Sequence, residues 1–157
     1  PASHVYVRNK IKACERAGIT SREYRYPAAT SPETIKNLIA ELNADDSVDG
    51  ILLQLPLPKP LNGEEIVQTI HPDKDVDGLN VLNVGKLMAG QDGLKPCTPQ
   101  GALHLIKSVE QNLAGLHAII IGRSLLFGKP MGQLLLSENC TVTQAHSKTK
   151  NLPDICR

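Results

Sequence analysis

A proline stands at every second position, Pro56, Pro58 and Pro60, shortly after the apolar run Ile51-Leu52-Leu53. No other stretch restricts the fold as much as this one, DGILLQLPLPKP at 49–60. A short, continuous apolar run suits a strand covered on both faces. The prolines exclude helix and regular ladder, so the chain leaves that strand as a stiff, extended lip. Gln54 stands where the strand ends, and open parallel sheets bind ligands at the carboxyl ends of their strands. An amide there is expected to wall a binding cleft. The plainer alternative is a buried strand followed by an ordinary proline loop.

The segments around it alternate in type. Ser3 is expected to cap a helix running to about Ala17, with Gly18 as its C′ residue, and residues 19–26 read as a strand ended by Pro27. Ser31-Pro32-Glu33 joins a cap, a first-position proline and an early acid. The helix it opens uses Ile35, Leu38, Ile39 and Leu42 and reaches about Asn43. After the 49–53 strand, Asn62 and Glu65 fit a capping box for a helix ending near His71-Pro72. KDVDG then forms an acidic turn in which Gly78 permits a sharp reversal. A short helix at 84–88, a loop at 91–99 and a helix at 99–111 follow. Strands at 116–121 and 141–145 flank a helix starting at Pro130, and the first of them is expected to be buried. This alternation predicts an α/β fold on parallel sheets, with a domain boundary near Pro99 separating 1–99 from 100–157.

Charge and cysteine usage exclude several functions. With 17 basic and 16 acidic residues the net charge is +1, which gives no footprint for nucleic acid or an anionic membrane. No apolar run approaches a membrane span and no signal peptide is visible. Cys14, Cys97, Cys140 and Cys156 are far apart and lack C-x-x-C spacing, which predicts reduced thiols in a cytoplasmic setting. Both ends read as cut, since the chain has no initiator Met and closes inside a helical pattern at 154–157.

Strand, glycine-bounded loop, helix and strand make a βαβ unit over its last third. The loop Gly122-Arg123-Ser124-Leu125-Leu126-Phe127-Gly128 lacks the G-x-G-x-x-G spacing. Gly122 can still bring backbone close to a phosphate, and the helix N-terminus near Lys129 is expected to offer free N–H groups. NAD sites place an acid after the second strand. Here Ala145-His146-Ser147-Lys148-Thr149 has none. With Arg123 it makes a cationic, hydroxyl-bearing corner suited to a 2′-phosphate, so NADP is expected rather than NAD.

The first two thirds carry reactive groups. Tyr6 and Lys10 lie four apart and share one helix face. A Lys10 over an apolar strand end would be desolvated toward the range useful in acid/base work, and Gln54 can accept from it or donate to it without a salt bridge. Asp75 and Asp77 offer carboxylates on a tight turn, able to pair bidentately with an amidine-like edge. A helix-cap loop and a weak cation site are the competing readings, since D-x-D-G has calcium-loop spacing without the other ligands.

Taken together, YVRNK (6–10), DGILLQLPLP (49–58), KDVDG (74–78), PCTPQG (96–101) and GRSLLFGKP (122–130) resemble, in order, motifs of the bifunctional methylenetetrahydrofolate dehydrogenase/cyclohydrolase family. The resemblance implies a catalytic domain followed by a partial Rossmann-like NADP domain, with a cleft between them. It implies oxidation of 5,10-methylenetetrahydrofolate with NADP to the methenyl form, then hydrolysis to 10-formyltetrahydrofolate, within one-carbon metabolism and purine biosynthesis. Lys10 would be the general acid/base, tuned by Gln54, and Tyr6 would stack on the aminobenzoyl ring. Asp77 would hold the pterin's amino edge while Asp75 stays structural, and Leu53 and Leu55 would border the folate through their backbone. Gly122, Arg123, Ser124, Gly128 and Ser147 would hold NADP. It further implies a homodimer and no metal.

Phe127 stands where the family has a smaller aliphatic residue, which bears on loop packing, and Ala145 replaces a frequent Cys. The family's chain also continues past both ends of this sequence, with a leading segment, later strands and a Pro-Gly-Gly-Val-Gly segment. Two alternatives remain. A short-chain dehydrogenase shares Tyr-x-x-x-Lys, but its nucleotide loop precedes the Tyr. A truncated folate-binding or dimerising module would bind without turnover.

Overall fold

The computed structural model describes residues 2–157, with side chains from Val5 onward. The chain divides into two units, one ending at Thr30 and one spanning Ser31–Arg157. The first is built on helix α1, Ala2–Arg16. Ser3 therefore lies inside the helix and is not its cap; its side chain is outside the described residues. The far end stops as expected. Gly18 takes φ +72°, and the Ile19 N–H donates to Cys14 O at 2.9 Å, the six-to-one bond of a Schellman motif. Residues 19–26, expected as a strand, are exposed throughout and enter no ladder. Aromatic and β-branched content favours a strand only where a neighbour supplies packing.

In the second unit α2, Pro32–Ala44, starts as its sequence dictates, with Ser31 Oγ accepting from the Thr34 N–H at 3.2 Å. Ile35 and Ile39 turn inward to a core completed by Ile51, Ile66, Val67, Ile70 and Leu79. The end of α2 is held from outside itself. Lys74 Nζ donates to the carbonyls of Leu42, Asn43 and Asp45 at 3.0, 2.8 and 2.8 Å. That places an ammonium where the helix dipole is negative.

The proline-bounded strand is shorter than its apolar run suggested. Ile51 alone forms a bridge, parallel to Asp75, with its N–H donating to Lys74 O at 2.6 Å. Beyond Asp75 the partner turns at once, and beyond Leu55 the prolines begin, so the ladder cannot lengthen. The capping box at Asn62 forms, with Oδ1 accepting from the Glu65 N–H at 3.3 Å. The helix it starts, α3, spans Gly63–Val67, not the longer stretch expected to His71. Asn43 of α2 explains the early stop: its amide donates to Thr69 O and accepts from the His71 N–H, at 2.8 and 2.9 Å. A 3-10 turn at Pro72–Lys74 follows. Helix α4, Val81–Met88, begins three residues before the expected 84 because Asn80 caps it, accepting from the Leu82 N–H at 3.0 Å.

Helix α5, Cys97–Val109, leads to β1, His117–Ile121, then α6, Gly128–Ser137, β2, Thr141–Ala145, and α7, Leu152–Ile155. The strands pair in parallel, His117 opposite Thr141 and Ile121 opposite Ala145. Helix α6 lies over one face, so close that a Cβ on Gly132 would sit 3.6 Å from Ile120 Cδ1. Leu113, Ile120, Met131, Leu135 and Cys140 form the core there. Lys107 of α5 reaches Glu138 at 2.7 Å, and α4 also packs on α6. The expected full burial of β1 does not hold: Ile120 is buried while Ile121 is 63% exposed. Side chains alternate along a strand, and α5 and α6 share the face of Ala118 and Ile120. The other face carries a polar pair, His117 Nε2 to Thr143 Oγ1 at 2.8 Å.

Lys74→Met keeps the aliphatic stem and deletes the three carbonyl bonds. It should cost about 1.5–3 kcal/mol, read in urea unfolding as a lower midpoint at unchanged slope. A loss under about 0.5 kcal/mol would show the cap to be dispensable.

Candidate active site

The parallel bridge between Ile51 and Asp75 puts Gln54 and Asp77 on the carboxyl side of one pairing. Leu53 and Leu55 pack against the core, so the alternation of an extended chain turns Gln54 the other way. Its Nε2 donates to Leu55 O at 3.0 Å. Its Oε1 is buried and has no hydrogen-bond partner among the described residues. An acceptor in that condition is costly until a donor meets it.

Asp77 is half-buried at the tip of a tight turn. Gly78 makes the turn possible, with φ +62° and a position where a Cβ would lie 2.8 Å from Leu94 O. Its N–H donates to Asp75 O at 3.0 Å. The Asp75 side chain faces inward. Oδ2 accepts from the Asn80 N–H at 2.7 Å and from Asn83 Nδ2 at 3.1 Å. The two carboxylates thus separate by role: Asp75 belongs to the helix-cap loop before α4, and Asp77 sits on its outer turn.

Tyr6 and Lys10 belong to the α1 unit, where Lys10 Nζ stands 4.8 Å from the Tyr6 ring centroid. That lies within cation–π range. The shared helix face expected from their spacing is therefore real, with Tyr6 exposed and Lys10 half-buried.

The third group lies at the carboxyl end of the β1–β2 pair. The Gly122 N–H donates to Ala145 O at 2.8 Å, carrying the ladder one step past the strand. Gly122 then turns at φ +141°, and Gln144 Nε2 holds its carbonyl at 2.9 Å. Gly128 comes back against that same peptide. A Cβ there would overlap the Gly122 carbonyl and lie 2.8 Å from Arg123 N. The loop is closed backbone to backbone, which glycine alone allows.

One expectation fails here. The N-terminus of α6 does not offer free N–H groups. Ser124 Oγ accepts from the N–H groups of Phe127 and Gly128 at 3.2 and 3.5 Å. Ser124 O takes the Lys129 N–H at 3.0 Å, and Pro130 has none to give. The donors a helix start leaves over are consumed by the loop's own serine. What faces outward is side chain. Arg123, Ser147 and Lys148 are exposed. The turn after β2 is fastened by the Thr149 hydroxyl, accepting from the His146 N–H at 2.7 Å, and by the Thr149 N–H donating to His146 O at 2.8 Å. Pairing of Ile121 with Ala145 starts the 122–128 loop beside the turn that carries Ser147, and Gly128 closes on Gly122.

Sequence reasoning missed four positions. Asn80, ahead of Val81 and Leu82, carried a cap signal that went unused. Lys74 gave none for its task at a helix end 29 or more residues away. Asn83 and Gln144 act through tertiary contacts that no local pattern marks.

Two models of one family match the chain: the tetrahydrofolate dehydrogenase/cyclohydrolase catalytic domain over residues 1–77, and the NAD(P)-binding domain of the same family over residues 96–157. A bifunctional protein FolD of Rhizobium etli is 54% identical over 100% of this chain and 54% of its own length. That of Nitrobacter winogradskyi is 56% identical over 100% of this chain and 53% of its own. The chain spans about half the length of the curated relatives it matches. Among solved structures, the bifunctional enzyme FolD from Campylobacter jejuni superposes with a TM-score of 0.94 at 46% identity, over 97% of this chain and 54% of that one. The methylenetetrahydrofolate dehydrogenase-cyclohydrolase of Trypanosoma brucei, solved with NADP cofactor and inhibitor, gives 0.90 at 32% identity, over 98% and 52%.

Two glycine substitutions should separate loop closure from helix propensity. Gly128→Ala forces backbone apart and should destabilise by about 1–3 kcal/mol. Gly101→Ala, in α5 with nothing within 4 Å, should stabilise by about 0.5–1 kcal/mol. Thermal unfolding of both variants checks the pair, and equal effects would refute the close contact.

Proposed function

Because the chain belongs to the tetrahydrofolate dehydrogenase/cyclohydrolase family, we propose that it takes part in oxidising 5,10-methylenetetrahydrofolate with NADP and in hydrolysing the methenyl product to 10-formyltetrahydrofolate. One observation carries this reading. Each of the two parallel pairings in the second unit ends in one of the chemistry-bearing motifs, the amide and carboxylate of Gln54 and Asp77 or the glycine-bounded loop. Ligands of parallel sheets bind at such ends. We assign folate to 1–99 and NADP to 100–157.

The residues present fit NADP. Gly122 and Gly128 keep side chains out of the loop's neck. With the α6 donors occupied by Ser124, anion recognition falls to side chains. Arg123 and Lys148 supply charge to a 2′-phosphate, and Ser147 a hydroxyl. Gly122, Arg123, Ser124, Gly128 and Ser147 would hold the cofactor, whose contribution is to accept the hydride from the substrate's methylene bridge.

On the folate side Asp77 would accept the two donors of the pterin's amino edge, a charge-assisted pair. Leu53 and Leu55 keep their side chains on the core, which frees their backbone to border the substrate. Tyr6 would stack on the aminobenzoyl ring. Lys10 would act as general acid/base when water adds to the methenyl carbon, taking a proton from the water and passing it to the departing ring nitrogen. Gln54 offers an acceptor with no partner among the described residues, suited to orienting an amine. Family resemblance supports a cytoplasmic homodimer serving one-carbon metabolism and purine biosynthesis.

Lys10→Met should reduce methenyl hydrolysis at least about a hundredfold while tetrahydrofolate still binds; unchanged hydrolysis removes Lys10 from the chemistry. Asp77→Ala should weaken folate binding about tenfold or more, the loss of a charge-assisted pair, with NADP affinity unmoved. Equal losses for both ligands would count against the assignment.

A further inference from the structure

Asp75 is the most deeply buried carboxylate of the second unit, 1% exposed, and Asn83 beside it is also 1% exposed. Neither is among the positions assigned to substrate above. We infer that Asp75 is a positioning residue for the folate site, setting where Asp77 and Gln54 stand through a buried network shared with Asn80 and Asn83. The inference rests on the folate reading of that site and adds to it the residue that builds it.

Three segments meet at Asp75. Its backbone pairs with Ile51, three residues before Gln54. Its carbonyl accepts from the Gly78 N–H at 3.0 Å, and its Oδ2 accepts from the Asn80 N–H at 2.7 Å. Those two bonds close the 75–80 turn from both sides, with Asp77 between them. Asn83 Nδ2 then spans Pro72 O at 2.7 Å and Asp75 Oδ2 at 3.1 Å, locking the turn to α4. Asn80 Nδ2 adds a bond to Ile70 O at 3.0 Å. An ordinary surface turn needs no such closure.

The geometry distinguishes shape from charge. Both side-chain bonds of Asp75, from the Asn80 N–H and from Asn83 Nδ2, end on Oδ2, and Oδ1 is buried with no partner among the described residues. An asparagine can present its carbonyl oxygen at the Oδ2 position and keep both bonds, whereas alanine loses both.

The test is tetrahydrofolate and NADP binding by calorimetry, with amide exchange at Gly78 and Asn80, for wild type, Asp75→Asn and Asp75→Ala. Asp75→Ala should weaken tetrahydrofolate about tenfold or more, speed exchange at both amides, and leave NADP affinity within about twofold. Asp75→Asn should restore both readouts. If Asp75→Ala does not fold, Asn83→Ala takes its place, with a loss of about threefold expected for tetrahydrofolate alone. Unchanged tetrahydrofolate binding in Asp75→Ala, equal losses for both ligands, or no rescue by Asp75→Asn would overturn the inference. A wild type that binds no tetrahydrofolate would sink the folate reading itself, and the exchange rates would still judge the turn.

Discussion

Two neighbouring side chains of opposite charge, Lys74 and Asp75, hold the first half of the second unit in shape. The lysine reaches back to the last carbonyls of α2, and the carboxylate reaches forward to the start of α4. Between them runs the backbone that Ile51 bridges. A segment with one bridge and no extended ladder would be loose if hydrogen bonding of strands were all that held it. Here the closing bonds come from side chains, and the ammonium of Lys74 makes its three stronger than neutral ones. The position of Gln54 therefore depends less on its own strand than on what grips the segment beside it.

The glycine-bounded loop at 122–128 solves a different problem. A parallel pair covered on one face must bring a turn back over its own end without burying unpaired donors. Gly128 lies against Gly122, and Ser124 absorbs the helix's first donors. The cost is that the helix start no longer serves as a ready anion site. In the proposed reading, recognition of phosphate would pass to Arg123, Ser147 and Lys148, exposed at the rim, where a guanidinium and a hydroxyl discriminate by geometry as well as charge.

Many local signals of this chain were legible, although the cap at Asn80 and the Ser124 bonds at the start of α6 are local and were not read. The cap at Ser31, the C′ glycine at Gly18, the capping box at Asn62 and the strand at Thr141–Ala145 stand where their residues put them. Several of the errors share a cause, which is tertiary capture. Asn43 takes the backbone that would have continued α3. The turn after Asp75 cuts short the ladder that the apolar run at Ile51 promised. The run at Ile119–Ile121 suggested two covered faces, and the described helices α5 and α6 share one. The shared helix face of Tyr6 and Lys10 was legible from their spacing, and the turn that carries Asp77 from Gly78. Asn83 and Gln144 were invisible because their partners are far away in sequence.

Hydrogen exchange with each ligand in turn tests the central claim most directly, that one chain carries a folate site and an NADP site built on separate parallel pairings. Tetrahydrofolate should slow exchange over residues 51–55 and 75–80, and NADP over 122–128 and 145–149. Protection of the same segment by both ligands, or protection confined to neither region, would contradict it.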